Sequence, residues 1–335
     1  MLQTDTLVLP GAGESSRPKD YEDFLTVFAH EYFHAWLVKH LRPASFLPYK
    51  LERECHTHDL WVFEGFTTYY ENVLPFRAGV LDEDKLLSLT SARFNRVRER
   101  EGFHVESLSD ASFNAWTHLY KQTPDSAYCQ ASYYGKGAVL AFMLDAALRK
   151  AGFSLDEVLK TWFHEALADP QARSLPDGGF FERIPVASIA ERFKKLVTSS
   201  DRTLWENEWR CALSTLGMSE EADENTPASR MHLGLQLDGL RVRYAESRGS
   251  AYAAGLFAGD EIIAVNGLRA DAATIERMIT QAKGSTLHIH YFREHLLRSA
   301  EIEVPVNPLP QPGTLKIKSP TEFGRAWIRS SNRQA

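Results

Sequence analysis

Cysteine is scarce, with only Cys55, Cys129 and Cys211 in 335 residues. They stand far apart and form no CxxC or CxH pair, which excludes a disulfide framework and a thiolate zinc site. They read as reduced core residues of a cytoplasmic protein. Long apolar runs are lacking too: the longest, around Gly137 to Leu144, is a fraction of the roughly 18 to 20 residues a membrane span needs, so no membrane insertion is expected. Positive charge is not in excess. With 38 Lys and Arg against 44 Asp and Glu the formal charge is −6, which argues against a nucleic-acid partner. The first residues lack the basic start, apolar stretch and small-residue cleavage site of a secretory signal, so export by that route is not expected. The remaining composition, 44% hydrophobic and 24% charged, is that of a globular protein. The length suggests two domains or more.

From Pro18 to about Gly217 apolar residues recur at helical spacing. Ser15, Ser16 and Pro18 form a helix start, and Tyr21, Phe24, Leu25, Phe28, Tyr32 and Trp36 follow at steps of three and four until Arg42-Pro43. Further helices are expected over 59–78, 82–101, 133–151, 155–168, 186–197 and 204–216. The run RVRERE, Arg96 to Glu101, reads as a solvated helix face. After Gly217, GMSEEADENTPAS is acidic and poor in apolar residues, as a solvated linker would be. The period then drops to two at Leu233, Leu235 and Leu237, at Val242 and Tyr244, at Ile262, Ile263 and Val265, at Leu287, Ile289 and Tyr291, and at Ile302, Val304 and Val306. One amphipathic helix, 272–281, interrupts it. The expected organisation is a lead segment 1–17, a helical domain 18–216, a linker 217–229, a small β-rich domain 230–308, and a surface or disordered tail 309–335.

The chemistry gathers in the first two helices. Residues 30 to 34 read His30-Glu31-Tyr32-Phe33-His34, an HExxH set. Helical residues four apart lie about 40° from each other, so both imidazoles leave one face and can meet one metal ion. Glu31 stands beside that face, within reach of a water on the metal. Catalytic zinc takes three protein ligands and a water, so a third ligand is needed. Glu64, in Leu60-Trp61-Val62-Phe63-Glu64-Gly65-Phe66-Thr67, is the candidate, because a carboxylate in so apolar a stretch is costly unless paired or bound to a cation. The plainer reading is a chance HExxH and a half-exposed Glu64. Glu71, seven residues on, shares the face of Glu64 and could brace a ligand histidine from behind, or be a surface carboxylate. His40, His56 and His58 read as surface or packing residues, and Trp36, Trp61, Tyr69 and Tyr70 as core. Arg42 is expected to pair with a nearby carboxylate.

The blocks HEYFHAW and DLWVFEGFTTYYENVL resemble the gluzincin metallopeptidases, and the long spacer with the downstream β domain is most similar to the glycyl aminopeptidase family, whose members end in a PDZ domain. The resemblance implies a mainly α catalytic domain, the thermolysin-like helical part of a gluzincin, followed by a small β-rich PDZ domain. It implies Zn2+ held by His30, His34 and Glu64, with Glu31 as general base. Tyr133-Tyr134-Gly135-Lys136-Gly137 resembles the segment that supplies an oxyanion-stabilising phenol, placing Tyr134 in that role with Tyr133 beside it. His232-Leu233-Gly234-Leu235-Gln236-Leu237, Gly249 to Leu256 and Ala258 to Gly267 resemble the carboxylate loop and the following runs of a PDZ domain, with Ser250 where that pattern has proline. This implies a peptide C-terminus as a possible ligand there.

The expected function is aminopeptidase-type hydrolysis of a peptide or protein substrate by a zinc-activated water. The alternative is a non-catalytic PDZ scaffold with a retained zinc site. Relatives carry a β-rich region ahead of the zinc helix, with a Gly-Gly-Leu-Glu-like segment that engages the substrate amine. Only 29 residues precede His30 and none matches it, so weak activity of this chain alone on free N-termini is expected.

Overall fold

The computed structural model describes residues 18–329. The lead segment 1–17, with Ser15 and Ser16 of the helix start, lies outside the described residues, as do residues 330–335. The first half is helical. Helix α1 spans Pro18–Phe33, α2 Phe66–Arg77 after a wide turn Trp61–Gly65, α3 Glu83–Arg98, α4 Tyr133–Lys150, α5 Leu155–Ala168, α6 Ala187–Val197 and α7 Arg202–Leu216. Side-chain caps mark several starts: Asp82 accepts from Lys85 N, Ser132 from Gly135 N, Ser154 from Glu157 N, and Asp201 from Thr203 N. Helix α4 is apolar all round and nearly every residue in it is buried, so it forms the axis on which the others pack.

Helix α1 does not run on to Arg42-Pro43. It ends at Phe33, and Val38 then takes a left-handed φ of 80° with its N–H bonded to Leu41 O at 2.6 Å. That conformation cannot continue a helix, so the chain reverses there.

The second part is a six-stranded antiparallel sheet. Strands β2 (Leu235–Asp238), β3 (Arg241–Ala245), β4 (Glu261–Val265), β6 (Thr286–Arg293) and β7 (Leu296–Glu303) lie in the order β2-β3-β4-β6-β7, with the short β5 (Leu268–Arg269) on β4. Helix α8, Ala272–Gln281, buries Ile275 and Ile279 against the sheet's own core. The alternation read in the sequence is the alternation of inward residues, for instance Leu287, Ile289 and Tyr291.

Four further expectations give way to the structure. The acidic stretch after Gly217 is not simply a linker, because Met218–Glu221 forms strand β1 and pairs antiparallel with β8, Thr314–Ile317. Strand β8 and helix α9, Glu322–Arg329, lie in the segment read as a tail. Leu315 and Trp327 are buried in the helical core, and Trp327 Nε1 donates to Tyr69 Oη at 2.7 Å. Ile317, Phe323 and Ile328 pack beside them, so a strand and a helix too short to stand out in the sequence are held by the helical surface that receives them. The sheet-rich unit is therefore held by chain that leaves and returns to the helical unit.

The run Arg96 to Glu101 is not a solvated face either. Arg98 stacks 4.1 Å above Trp209 and pairs with Glu220. Glu99 pairs with Arg230 and accepts from Gln236 Nε2 at 3.1 Å, while Arg100 lies 4.5 Å from the Tyr244 ring. These charges form the seam between the two units, where a partner desolvates what the sequence shows only as charge. The cysteines are free but not core: Cys55 is half-buried, and Cys129 and Cys211 are exposed. Helix α7 turns Trp205, Trp209, Ala212 and Leu216 inward, which leaves Cys211 outside.

Candidate metal centre

Two glycines bring the distant parts of the site together. A Cβ on Gly65 would lie 2.6 Å from Gly137 Cα, so the wide turn Trp61–Gly65 and helix α4 meet backbone to backbone. Glu64, beside Gly65, and Tyr134, in the first turn of α4, are thereby set against the end of α1. Although α1 ends at Phe33, His34 N still donates to His30 O at 3.3 Å, and the last turn keeps its two imidazoles on one side.

The ligand atoms form a triangle. His30 Nε2 lies 3.2 Å from His34 Nε2 and 3.5 Å from Glu64 Oε2, and His34 Nε2 lies 3.3 Å from that oxygen. Bonds of 2.0–2.1 Å to a tetrahedral ion would set ligand atoms about 3.3 Å apart, so the cradle fits zinc without rearrangement. Among the described residues this is the one group of three His, Cys, Asp or Glu side chains that could hold a metal ion. The three side chains are 13–18% exposed, which leaves one side open.

Electrostatics favour a cation there. Burial alone would push the His30 imidazolium down, but the Glu64 and Glu71 carboxylates outweigh it and hold it up at about 9. Burial likewise pushes the Glu64 carboxyl up, and the close approach of the His30 and His34 rings overcomes this to hold it at about 2. His30 Nδ1–H donates to Glu71 Oε2 at 3.0 Å, fixing the ring so that Nε2 faces the cradle. Glu71 is itself buried, and its other oxygen accepts from Arg93 of α3. His34 Nδ1 is buried with no hydrogen-bond partner.

Tyr134 is the phenol nearest the imidazoles: its ring lies 6.2 Å from His30 at 26°. Burial, and then the Glu64 charge, raise its hydroxyl well above the ordinary phenol range, so it stays protonated. Tyr133 stacks on it at 4.7 Å but is almost wholly buried. Glu31 lies on α1 with an exposed side chain, outside the three-ligand cluster. His40 rests on Phe163, His56 bonds Phe113 O, and His58 bonds Ser109, so none of the three joins the cradle. Among the described residues Arg42 pairs with no carboxylate; it donates to Tyr49 Oη at 3.1 Å and to Lys39 O. Sequence reasoning missed Arg93, which lies on α3 and carries no motif.

Two histidines four apart with a distant glutamate form a cluster that could hold a metal ion, with a carboxylate behind one histidine and a phenol ring beside it. The comparisons with known proteins support a peptidase. Residues 23–140, which hold every one of these groups, match the family described as M61 glycyl aminopeptidase. The chain is also similar to the crystal structure of an aminopeptidase N family protein from Idiomarina loihiensis, with a TM-score of 0.80 and 29% identity. That likeness covers 96% of this chain but 57% of the Idiomarina chain, so the chain spans little more than half of its relative's length. No match is found among curated proteins. No described helix is long and apolar enough to cross a membrane.

Proposed function

We propose that this chain is a zinc-dependent peptidase that hydrolyses peptide bonds, of aminopeptidase type, with His30, His34 and Glu64 as metal ligands. The observation that carries this is the triangle of ligand atoms, whose edges fit tetrahedral zinc. Bound zinc would lower the pKa of a coordinated water toward about 7 and polarise the scissile carbonyl. Glu31, exposed next to the ligand pair, takes the proton of the attacking water and passes it to the leaving amine. Tyr134, kept protonated, donates a hydrogen bond to the carbonyl oxygen as negative charge develops on it. Glu71 holds the tautomer of His30. The sheet-rich unit is assigned as a PDZ module that takes a peptide C-terminus, on the support of its edge strand β2 and the left-handed Gly234 before it.

The test is zinc content together with peptide hydrolysis, measured before and after chelation, in the wild type and in Glu31→Gln. The expected result is about one zinc per chain in both proteins, and hydrolysis that falls by roughly 10² to 10⁴ in the variant. Near-wild-type hydrolysis by Glu31→Gln would remove the general base. Zinc without any hydrolysis in the wild type would leave a scaffold that keeps a metal site.

A further inference from the structure

Arg93 has no part in the ligand set or in the reaction, yet it is tied to a ligand through a buried carboxylate. Glu71 of α2, 3% exposed, is shared between two other helices. Its Oε2 accepts from His30 Nδ1–H of α1 at 3.0 Å, and its Oε1 accepts from Arg93 Nη2 of α3. Among the described residues Glu71 is the carboxylate with which Arg93 pairs, and Arg93 makes no second ion pair. A carboxylate taken out of water needs donors on both oxygens, and an oxygen left bare there costs free energy. Arg93 is well placed to be one of them. It directly precedes Phe94, which is buried with its ring 5.5 Å from Phe142 and 5.8 Å from Trp209, so core packing fixes the backbone from which the guanidinium reaches out. The Arg93 side chain itself is 36% exposed and adds little to that core.

We propose that Arg93 is a positioning residue of the metal centre: by occupying Glu71 Oε1 it aims Oε2 at His30 Nδ1 and so holds the ring with Nε2 toward the cradle. The inference rests on the ligand set of the peptidase reading above. The last torsion of a glutamate is soft, and one hydrogen bond alone does not choose the direction in which the carboxylate faces. Two donors on different oxygens do. Without Arg93, Oε1 turns toward the water that takes its place, and the hold on the His30 ring loosens with it. Charge works the other way, because a cation near the cradle repels zinc. That repulsion is weak here, since the His30 ring and the Glu71 carboxylate stand between and solvent screens the partly exposed guanidinium. Orientation outweighs charge, and loss of Arg93 loosens the metal.

Zinc affinity of the full chain, read by titration against a competing chelator, tests this. Arg93→Met keeps the stem of the side chain and removes the guanidinium, and it is expected to weaken zinc binding by about three- to tenfold, less than loss of Glu71 itself. Arg93→Lys, which returns the charge and one donor, should recover affinity to within about twofold of the wild type. In a Glu71→Ala background Arg93→Met should add less than about twofold, because the carboxylate through which it acts is gone. A role confined to packing would lower the thermal midpoint of the ion-free chain and leave zinc affinity alone. Unchanged or tighter zinc binding in Arg93→Met overturns the inference whatever the midpoint does, and so does a full further loss in the Glu71→Ala background. In either case a wild type that binds zinc and hydrolyses peptides keeps the peptidase reading. A wild type that takes up no zinc removes both readings, and zinc without hydrolysis removes the peptidase reading alone.

Discussion

The sheet-rich unit and the helical unit each bury a carboxylate, and they satisfy it differently. Asp260 in the sheet-rich unit, 1% exposed, accepts from Arg293 Nε and Nη2 and from Phe257 N, all at 2.8 Å. Its charge and lone pairs are met by the fold itself. Glu64 in the helical unit is offered two imidazole nitrogens at 3.3 and 3.5 Å and forms no good hydrogen bond through its buried Oε2. In the ion-free chain the proton on His30 supplies the missing positive charge. A fold that builds complete partners for one buried acid and an incomplete set for another has reserved the second for something that binds. Asp59, just ahead of the turn that carries Glu64, is a third case. It has Gly178 N at 2.7 Å but no cationic side chain bonded to it, and burial raises its carboxyl to about 6.

The largest effect expected from this comparison is in the sheet-rich unit. Asp260→Ala removes the acceptor of Arg293 and Phe257 N and should cost about 2–4 kcal/mol of stability, toned down from a fully buried pair because Arg293 is partly exposed. Zinc content should not change, and denaturant unfolding with metal analysis checks both. A loss of zinc in this variant would break the separation between the units.

Asp59 gives the next effect, through pH. Its folded-state pKa lies above its ordinary value of 3.8, at about 6. Between about pH 4 and 6 the folded chain keeps a proton that the unfolded chain has released, so this group makes stability fall as pH rises and adds no further slope above that window. In Asp59→Asn that component is gone. The stability of the variant relative to wild type should climb by up to about 3 kcal/mol from pH 4 to 6, as read from urea midpoints at each pH. A difference that stays flat would show Asp59 to be ionised throughout.

Glu71→Ala should act on the metal centre alone. Loss of the carboxylate behind His30 is expected to weaken zinc binding by about 10- to 100-fold in a competitive chelator titration. Unaltered affinity would mean that the ring of His30 is oriented by packing rather than by Glu71.

Much of this arrangement was legible in the sequence where the signal was local. The 3.6-residue period located helices α3 to α7 to within a few residues, and the period of two located most strands of the sheet. The spacing of His30 and His34 foretold that their imidazoles share a face, and the structure brings their ring nitrogens together with Glu64 Oε2 from a second element. The illegible parts depend on partners far along the chain. Nothing near Arg98 or Glu99 says that Trp209 and Arg230 will cover them. The apolar pairs Leu315 with Ile317 and Phe323 with Trp327 are too short a pattern to mark an element by themselves, so their packing against helices made more than a hundred residues earlier does not show in the sequence. The cysteines failed for a simpler reason, since a small apolar side chain can stand on either face of a helix.

The most direct test is a crystal of the zinc-loaded chain examined by anomalous diffraction at the zinc edge. A single strong peak within about 2.0–2.2 Å of His30 Nε2, His34 Nε2 and a Glu64 oxygen is expected. A peak elsewhere, or none between those three side chains, would contradict the account.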